Sequence, residues 1–473
     1  MNGTGGPDPR RWFALAVIST AQLLMVLSDS VINIALPSAA RDLGMTDASR
    51  AWAITAYVLA FGGLLLLGGR VADTVGRKRA LGIGLLGFAA ASVVGGLATG
   101  APVFFAARAG QGVFAALVTP AALALITVTF ADPRERARAF GVYGAISGVG
   151  AALGVIAGGL LTEFVSWRWC LLVNVPIAVG AAALTIFVVR ESRVPGPARY
   201  DVAGAVSVTA GLTALVWAFI RAADPGAGWR DAGTLFALVG GVLLIVVFVL
   251  IERTAASPLV PLRLVLERIR GPVLLSAALI NAGLFGLFLF LAFYLQQVMN
   301  FSVLRSGLAF LPFTAAIVIS SAVVSRLTHR LSSRTTLLTG TLVLTGGLIL
   351  LALPSVSASY LIGVLPAEVL IGAGMGFVFV GQPTLVMHGV SHADVGTMSA
   401  LLNTAQQVGG ALGTAVLNTV YAAAALAIGS ATGDVAPYQL TFLTAAGLIA
   451  VAFAVPAILT SSHRIPSTKE ALA

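Results

Sequence analysis

The sequence predicts an all-α polytopic membrane protein with 14 transmembrane helices: two six-helix bundles in parallel repeat, with two inserted central helices. Three observations carry that expectation: the composition, the number of long apolar stretches, and the recurrence of short motifs at nearly one offset. Of the 473 residues, 58% are hydrophobic and only 10% charged, and the mean hydropathy is +0.98. A soluble domain carries about 25% charged and roughly 45–50% apolar residues. A water-soluble fold cannot hide this much apolar sequence, because its surface must still be covered by polar groups. The balance argues against a soluble enzyme, a secreted disulfide scaffold, a disordered chain and a nucleic-acid binder. A single cysteine, Cys170, allows neither an internal disulfide nor a thiolate metal cluster.

Apolar stretches of about 20 residues bounded by charges or Pro/Gly turns are candidate spanning helices. They fall at 13–36, 50–70, 80–99, 102–126, 139–163, 169–190, 201–221, 232–252, 271–297, 306–326, 335–353, 359–384, 397–426 and 438–460. The first follows Arg10 and Arg11 as a signal peptide would. It is longer than the roughly 7–15 residues of a signal-peptide core, so it is expected to stay in the membrane. An even count places both termini on one side. With the N-terminus in the cytoplasm, 21 of the 28 Lys and Arg residues fall in inside segments, among them Arg199, Arg330, Arg464 and Lys469. Six, including Arg41, Arg50 and Arg168, fall outside, and Arg108 lies within a span. That asymmetry is the positive-inside pattern, so the net charge of +10 reports topology and requires no acidic partner. The expected location is the inner (plasma) membrane, multi-pass, with cytoplasmic termini.

Three segment pairs echo one another. GRVADTVGRKR at 69–79 resembles SRLTHRLSSRT at 325–335, VGAALG at 149–154 resembles VGGALG at 408–413, and Arg108 falls opposite Glu368. The offsets, 256, 259 and 260, nearly coincide and keep their order. They map spans 1–6 onto spans 9–14 in parallel orientation. The expected domains are therefore a six-helix bundle at 1–190, two inserted helices at 191–253, a cytoplasmic linker at 254–270, and a second bundle with its tail at 271–473. Two parallel halves with a site between them form an alternating-access architecture.

These residues resemble the major facilitator superfamily, specifically its fourteen-span drug:proton antiporter branch. The loop Gly69-Arg70-Val71-Ala72-Asp73-Thr74-Val75-Gly76-Arg77-Lys78-Arg79 is similar to the superfamily's loop signature. LSDSVINIALP (27–37), WAITAYVLA (52–60), Arg108-Ala109-Gly110-Gln111-Gly112, WRWCLLVNVP (167–176) and YLQQVMNFSVLRSGLAFLP (294–312) are branch-like as well. One position departs: the fifth-helix antiporter motif reads Gly-Pro in the branch, and this chain has Gly154-Val155. Gly150, Gly154, Gly158 and Gly159 remain.

Ionisable groups inside a bilayer are costly and point to function. Asp29, Arg108 and Glu368 lie within spans and are the expected proton-coupling residues. Helical rise puts Asp29 roughly 24 Å along the first span, Arg108 roughly 9 Å below the outer end of the fourth, and Glu368 roughly 14 Å into the twelfth. An Asp29–Arg108 pair is feasible, either as a structural staple or as a tuned proton site. Glu368 is either an acid satisfied by a neighbouring helix or a second proton site and attraction for cations. Gln22, Asp29 and Asn33 share one helix face, and Arg108, Gln111 and Thr119 another, which suggests the walls of a watery cavity. With Asn281, Phe285 and Phe288 of the ninth span, Gln22, Asn33 and Gln111 form the expected substrate cavity; Phe290 and Phe293 lie further along the same span. Asp73 and Arg77 are the expected conformational latch. Gly150, Gly154, Gly158 and Gly159 are a packing and hinge surface. His329, His388, His392 and His463 fall in loops or at helix ends, so no metal site is expected, and residues 1–9 and 465–473 read as tails.

No GxxxxGK[ST] run is present, so nucleotide is not the expected energy source, and no cofactor is implied. The expected partners are a small-molecule substrate, protons and the lipid bilayer, with no nucleic acid, and the chain is expected to act as a monomer. The leading expectation is proton-coupled export of small hydrophobic compounds, with cations among the candidates. Val155 at the motif position keeps proton-coupled metabolite uptake open. A membrane-embedded enzyme would need clustered acids or a membrane histidine, and a channel fits poorly with a parallel repeat. The substrate is not legible in these residues.

Overall fold

The computed structural model describes residues 10–130, 132–193, 200–255, 258–327, 331–353, 359–390, 394–428 and 434–459. His329, His392, His463, Arg199, Arg330, Arg464, Lys469 and both tails lie outside the described residues. Thirteen helical segments are long and apolar enough to cross a bilayer: α1 (Arg11–Asp42), the Ser49–Val75 segment containing α2 (Trp52–Val75), α3 (Arg77–Gly96), α4 (Ala101–Thr129), α6 (Trp169–Val188), α7 (Val202–Ala222), α8 (Ala232–Thr254), the Arg270–Val298 segment containing α9 (Arg270–Phe293), α10 (Val303–Leu327), α11 (Ser333–Ala352), α12 (Tyr360–Val386), the Thr397–Ala427 segment within α13 (Val395–Ile428), and α14 (Ala436–Leu459). The helix α5 (Pro133–Phe164) contributes the shorter apolar stretch Ala152–Phe164 and completes the expected order.

The helix ends have local causes. Asp201, Asp231, Ser302 and Ser332 accept from backbone N–H groups three residues on and cap α7, α8, α10 and α11. Between α2 and α3 the backbone turns at Gly76 with φ +116, a conformation that disfavours a side chain, and a Cβ there would lie 2.7 Å from the Glu191 carboxyl group. Three spans are interrupted: α6 at Val173, α10 at Phe310 and α12 at Val364. Pro312 and Pro366 sit just inside the second pieces of α10 and α12, where their missing N–H groups cost least. Beyond α9 the chain adds one wide π-type turn, Tyr294–Val298.

Packing repeats with a shift of eight helices. In the first half α1 packs on α5 and α6, α4 on α2 and α3, and α3 on α6. In the second half α9 packs on α13 and α14, α12 on α10 and α11, and α11 on α14. The motif offset read from the sequence is thus a three-dimensional repeat. The halves meet along two related seams, α2 against α13 and α5 against α10. The inserted helices form a hairpin in which α7 touches both α2 and α13. Its second member, α8, is apolar up to its last turn and exposes Phe236, Val239 and Leu243, as a lipid-facing helix does.

The seams are tight toward the face opposite the N-terminus. There Leu304 N–H donates to Glu163 (2.7 Å), Asn418 to the Ala48 carbonyl (3.2 Å) and Gln296 to the Ile34 carbonyl (3.2 Å). A Cβ on Gly307 would lie 2.7 Å from the Val155 carbonyl, and one on Gly159 would lie 2.9 Å from Leu304 Cα. At the basic face, Arg11–Glu135 stays within the first half, Arg79 pairs with Glu191 just past its end, and Arg334 to the Ala457 carbonyl stays within the second half. The 254–270 segment is anchored rather than loose. Its Leu259 and Val260 N–H groups donate to buried Glu252, and Arg263 pairs with Asp394.

Candidate functional site

Among the half-buried positions of α1 are Gln22, Asp29 and Asn33, which share one face of the helix. That face carries the site. Asp29 keeps 35% of its side chain exposed although it lies in the second half of a 32-residue helix. Arg108, across from it on α4, is 1% exposed. Its guanidinium donates to the Ala53 carbonyl (2.9 Å) and to Gln111 (2.7 Å), and lies 4.5 Å from the centroid of the Tyr57 ring. Gln111 in turn donates to Ser92 (2.8 Å). Of the Arg108 hydrogen bonds, the one to Asp29 is the longest, at 3.5 Å. Arg108 is therefore a fixed charge held by its own bundle, and Asp29 is a loosely held, accessible carboxyl beside it.

This arrangement divides the polar stripes expected from the sequence. The α1 stripe is accessible, with Asn33 donating to the Asp29 carbonyl (2.9 Å) and Gln22 accepting from Tyr143 (2.6 Å). The α4 stripe is different: Arg108 and Gln111 are buried against α2 and α3, so Gln111 supports Arg108 and does not line a cavity wall. On α9, Asn281 is half-buried and donates to its own helix at Ala277, and Phe285 lies over Gly410 of α13. Phe288 joins Phe310 and Phe313 in an aromatic cluster of the second half.

Glu368 lies in the first turn of the longer piece of α12. It is 1% exposed. The Tyr360 hydroxyl sits 2.9 Å from one Glu368 oxygen and 2.8 Å from the Ala309 carbonyl, and the other Glu368 oxygen has no hydrogen-bond partner. Ala309 ends the short first piece of α10, the piece that carries Leu304 and Gly307 into the seam with α5.

At the basic face, Arg77 donates to Asp73 (2.8 Å) across the Gly76 turn, and its backbone N–H donates to the Ser192 carbonyl (2.8 Å). Glu191 accepts from the N–H groups of Lys78 and Arg79 and caps α3. Gly150, Gly154 and Gly158 face α1: a Cβ there would lie 3.0 Å from Leu23, 2.6 Å from Ser30 and 3.0 Å from Val31. Gly159 turns instead to Leu304 of α10. Two surface depressions lie away from the Asp29 site. One of about 620 Å³ runs between α2 and α7 and is lined by Leu64, Thr209 and Trp217. The other, about 380 Å³, lies at the outer seam among Arg41, Glu163, Gln296 and Gln297.

Sequence reading passed over several participants. Tyr57 and Ser92 hold Arg108 and its partner, Tyr143 comes from a segment far from Gln22, and Tyr360 lies eight residues before Glu368 on the same span. Tyr57 lies inside the WAITAYVLA stretch, which was a usable signal. Of the expected three, Arg108 and Glu368 are buried and Asp29 is half-buried, and Arg50, Asp201 and Glu252 at span ends are buried as well.

Residues 18–414 match the Major Facilitator Superfamily. The chain is 47% identical over 460 residues to a puromycin resistance protein of Streptomyces alboniger, covering 97% of this chain and 91% of that one. It is 40% identical over 411 residues to a cephamycin export protein of Amycolatopsis lactamdurans, covering 86% and 84%. Its fold is similar to that of a bacterial homologue of the human lysosomal transporter Spinster, with a TM-score of 0.68, 17% identity, and coverage of 98% of this chain and 100% of that one. The chain belongs to the Major Facilitator Superfamily and is a multi-pass membrane transporter.

Proposed function

We propose that this transporter exports small, hydrophobic, antibiotic-like compounds in exchange for protons, by alternating access between its two halves. The basic face is cytoplasmic, both termini lie there, the membrane is the plasma membrane, and the working unit is one chain. The halves that rock are 1–190 and 271–473, with the 191–253 hairpin and the 254–270 linker riding between them. The single observation that carries the reading is the asymmetry of the Asp29–Arg108 pair. Arg108 is pinned by three partners of its own bundle, and Asp29 reaches it only at 3.5 Å while keeping a third of its side chain exposed. A carboxyl so placed can give up its proton when a substrate enters and regain it when the substrate leaves, with the fixed charge setting its affinity. Relatives named for puromycin resistance and cephamycin export support the direction of transport.

Glu368 provides a second proton site on this reading. A phenol has one proton, and the Tyr360 hydroxyl has two oxygens in reach, the Ala309 carbonyl and Glu368. A protonated Glu368 resolves the conflict by donating to Tyr360 while Tyr360 donates to Ala309. The chain Glu368–Tyr360–Ala309 then braces the first piece of α10 against α5, so loss of that proton loosens the outer seam.

The test is transport into inverted membrane vesicles over a panel that begins with puromycin and a cephamycin, with and without a pH gradient (interior acid). Accumulation that appears only with the gradient is expected. Equal uptake with and without it removes the proton coupling, and movement in the opposite sense makes the protein an importer.

A further inference from the structure

Arg50 has no place in the transport cycle described so far. It sits in the Ser49–Ala51 turn at the outer end of α2, and its side chain, 2% exposed, crosses to the other half. Its guanidinium carbon lies 4.3 Å from the centroid of Phe293, 4.6 Å from Tyr421 and 5.4 Å from Phe290. Phe290 and Tyr421 stack at 5.1 Å, and Tyr438 closes the back of the box edge-on to Tyr421 at 4.9 Å. The one ionic partner is Asp47 of the same half, 2.9 Å away and itself exposed to water. Nε and Nη2 of Arg50 are buried and make no hydrogen bond.

A guanidinium has five N–H donors, and burying it with most of them unused is costly. What holds it here is the negative face of three aromatic rings, an attraction that strengthens as water is excluded. The cation belongs to the first half and the rings to α9 and α13 of the second, so the box is filled only while the outer ends stand together. When they part, Arg50 returns to water, where hydration replaces the rings. The contact is therefore built to be made and broken, unlike Arg108, whose partners all belong to its own half.

We propose that Arg50 and the Phe290–Phe293–Tyr421 box are the lock of the outer gate, a charged key from one half seated in an aromatic receptor of the other. The lock rests on the alternating-access reading and adds to it a residue that sets how long the outer side stays shut. Because charge and the flat cation carry the contact, a neutral replacement opens the lock. The emptied receptor should in turn accept a free guanidinium ion.

The experiment uses the full-length protein in lipid nanodiscs, with spin labels at the exposed outer positions Thr99 and Ile362 and distances read by double electron–electron resonance. The unmodified protein should show a dominant short distance and a minor long one. Arg50→Ala should raise the long-to-short ratio by about tenfold, the scale of one desolvated cation–π contact. Millimolar guanidinium chloride should restore the short distance, where sodium chloride at equal ionic strength does not. Phe293→Leu should shift the ratio the same way but resist rescue, and Arg50→Lys should fall between the two. Those variants keep the test open where Arg50→Ala fails to fold. Unchanged proportions in Arg50→Ala and Phe293→Leu, or rescue by sodium chloride as large as by guanidinium, would overturn the lock alone. One immobile distance in the unmodified protein would sink alternating access and the lock with it.

Discussion

Asp29→Asn keeps the size of the side chain and removes its exchangeable proton, so it separates coupling from architecture. The stability cost follows from what Arg108 loses. Its bonds to the Ala53 carbonyl at 2.9 Å and Gln111 at 2.7 Å and its place over Tyr57 at 4.5 Å are untouched. Only the 3.5 Å contact to Asp29 changes. A hydrogen bond to a charged group contributes about 1.5–3 kcal/mol, and one at the limit of bonding distance lies at or below the bottom of that range. We expect a loss of about 1 kcal/mol and a melting temperature within about 2 °C of the unmodified protein. The transport effect is far larger. Each pH unit across the membrane is worth about 1.4 kcal/mol per exchanged proton, a factor of about ten in accumulation. A gradient of two units should thus support roughly 100-fold accumulation in the unmodified protein and close to none in Asp29→Asn. The assay is uptake of puromycin into inverted vesicles, paired with counterflow at equal pH, which needs no net proton movement and should survive. Full pH-driven accumulation by Asp29→Asn would refute the reasoning, and loss of counterflow as well would make Asp29 a substrate-binding residue.

Four further outcomes are expected. Glu368→Gln retains a donor toward Tyr360 and should leave stability within about 1 kcal/mol, while Tyr360→Phe, which strips the Ala309 carbonyl of its partner, should cost about 1–3 kcal/mol; equal losses in a thermal-shift assay would mean that Glu368 is not the donor. Gly154→Leu forces atoms into a space where even a Cβ would lie 2.6 Å from Ser30, and should cost at least about 1–3 kcal/mol or abolish folding, read as loss of monodisperse protein. Asp73→Asn removes the charge behind both short contacts to Arg77 (2.7 and 2.8 Å) and should shift label distances across the basic face; an unchanged distribution would reduce Asp73 to a local brace of the 69–79 turn. The Arg221 guanidinium bonded to Asp231 holds that carboxyl at about 2, below its ordinary 3.8. A lowered folded-state value means that the stabilisation is present above the ordinary value and lost only as pH falls through about 2. The α7–α8 hairpin should therefore show no change in hydrogen exchange between pH 7 and pH 5.

Hydropathy and charge placement were enough to read the helices. The fourteen stretches recur in order with ends displaced by a few residues, because a lipid-spanning segment must be both long and apolar. The repeat was legible too, since Arg70 with Arg326 and VGAALG with VGGALG keep a common offset, and the packing pattern follows it. Periodicity marked polar stripes on α1 and α4 but could not say how deeply each is buried. Gln111 has the spacing of a cavity residue, yet Arg108 and Ser92 claim its amide. Arg50 counted as an outside charge because loop and span end look alike in one dimension. Its burial depends on Phe290, Phe293 and Tyr421, more than 200 residues away. Tyr360 stands only eight residues before Glu368, and what one dimension hid was its second partner, the Ala309 carbonyl 51 residues back.

A gate that must open under a proton gradient cannot be held shut by much more than the gradient supplies. One proton moving down one pH unit yields about 1.4 kcal/mol, and one charge crossing 100 mV about 2.3 kcal/mol. The outer seam is built on that scale. Its polar ties are Leu304 to Glu163, Asn418 to Ala48 and Gln296 to Ile34, each contributing about 0.5–1.5 kcal/mol, or somewhat more where a carboxylate accepts. To these the Arg50 box adds about 1–2 kcal/mol. Close backbone approach at Gly159 and Gly307 supplies fit without further polar bonds. Contacts within each half are of another kind: Arg108 with its three partners and the glycine face of α5 on α1 would cost far more to separate. The molecule thus concentrates strong contacts inside the halves and leaves weak, separable ones between them. Strengthening the seam should therefore slow transport even as it raises thermal stability. Replacing Asn418 with leucine, which removes a tie, should instead favour outer opening without loosening either bundle.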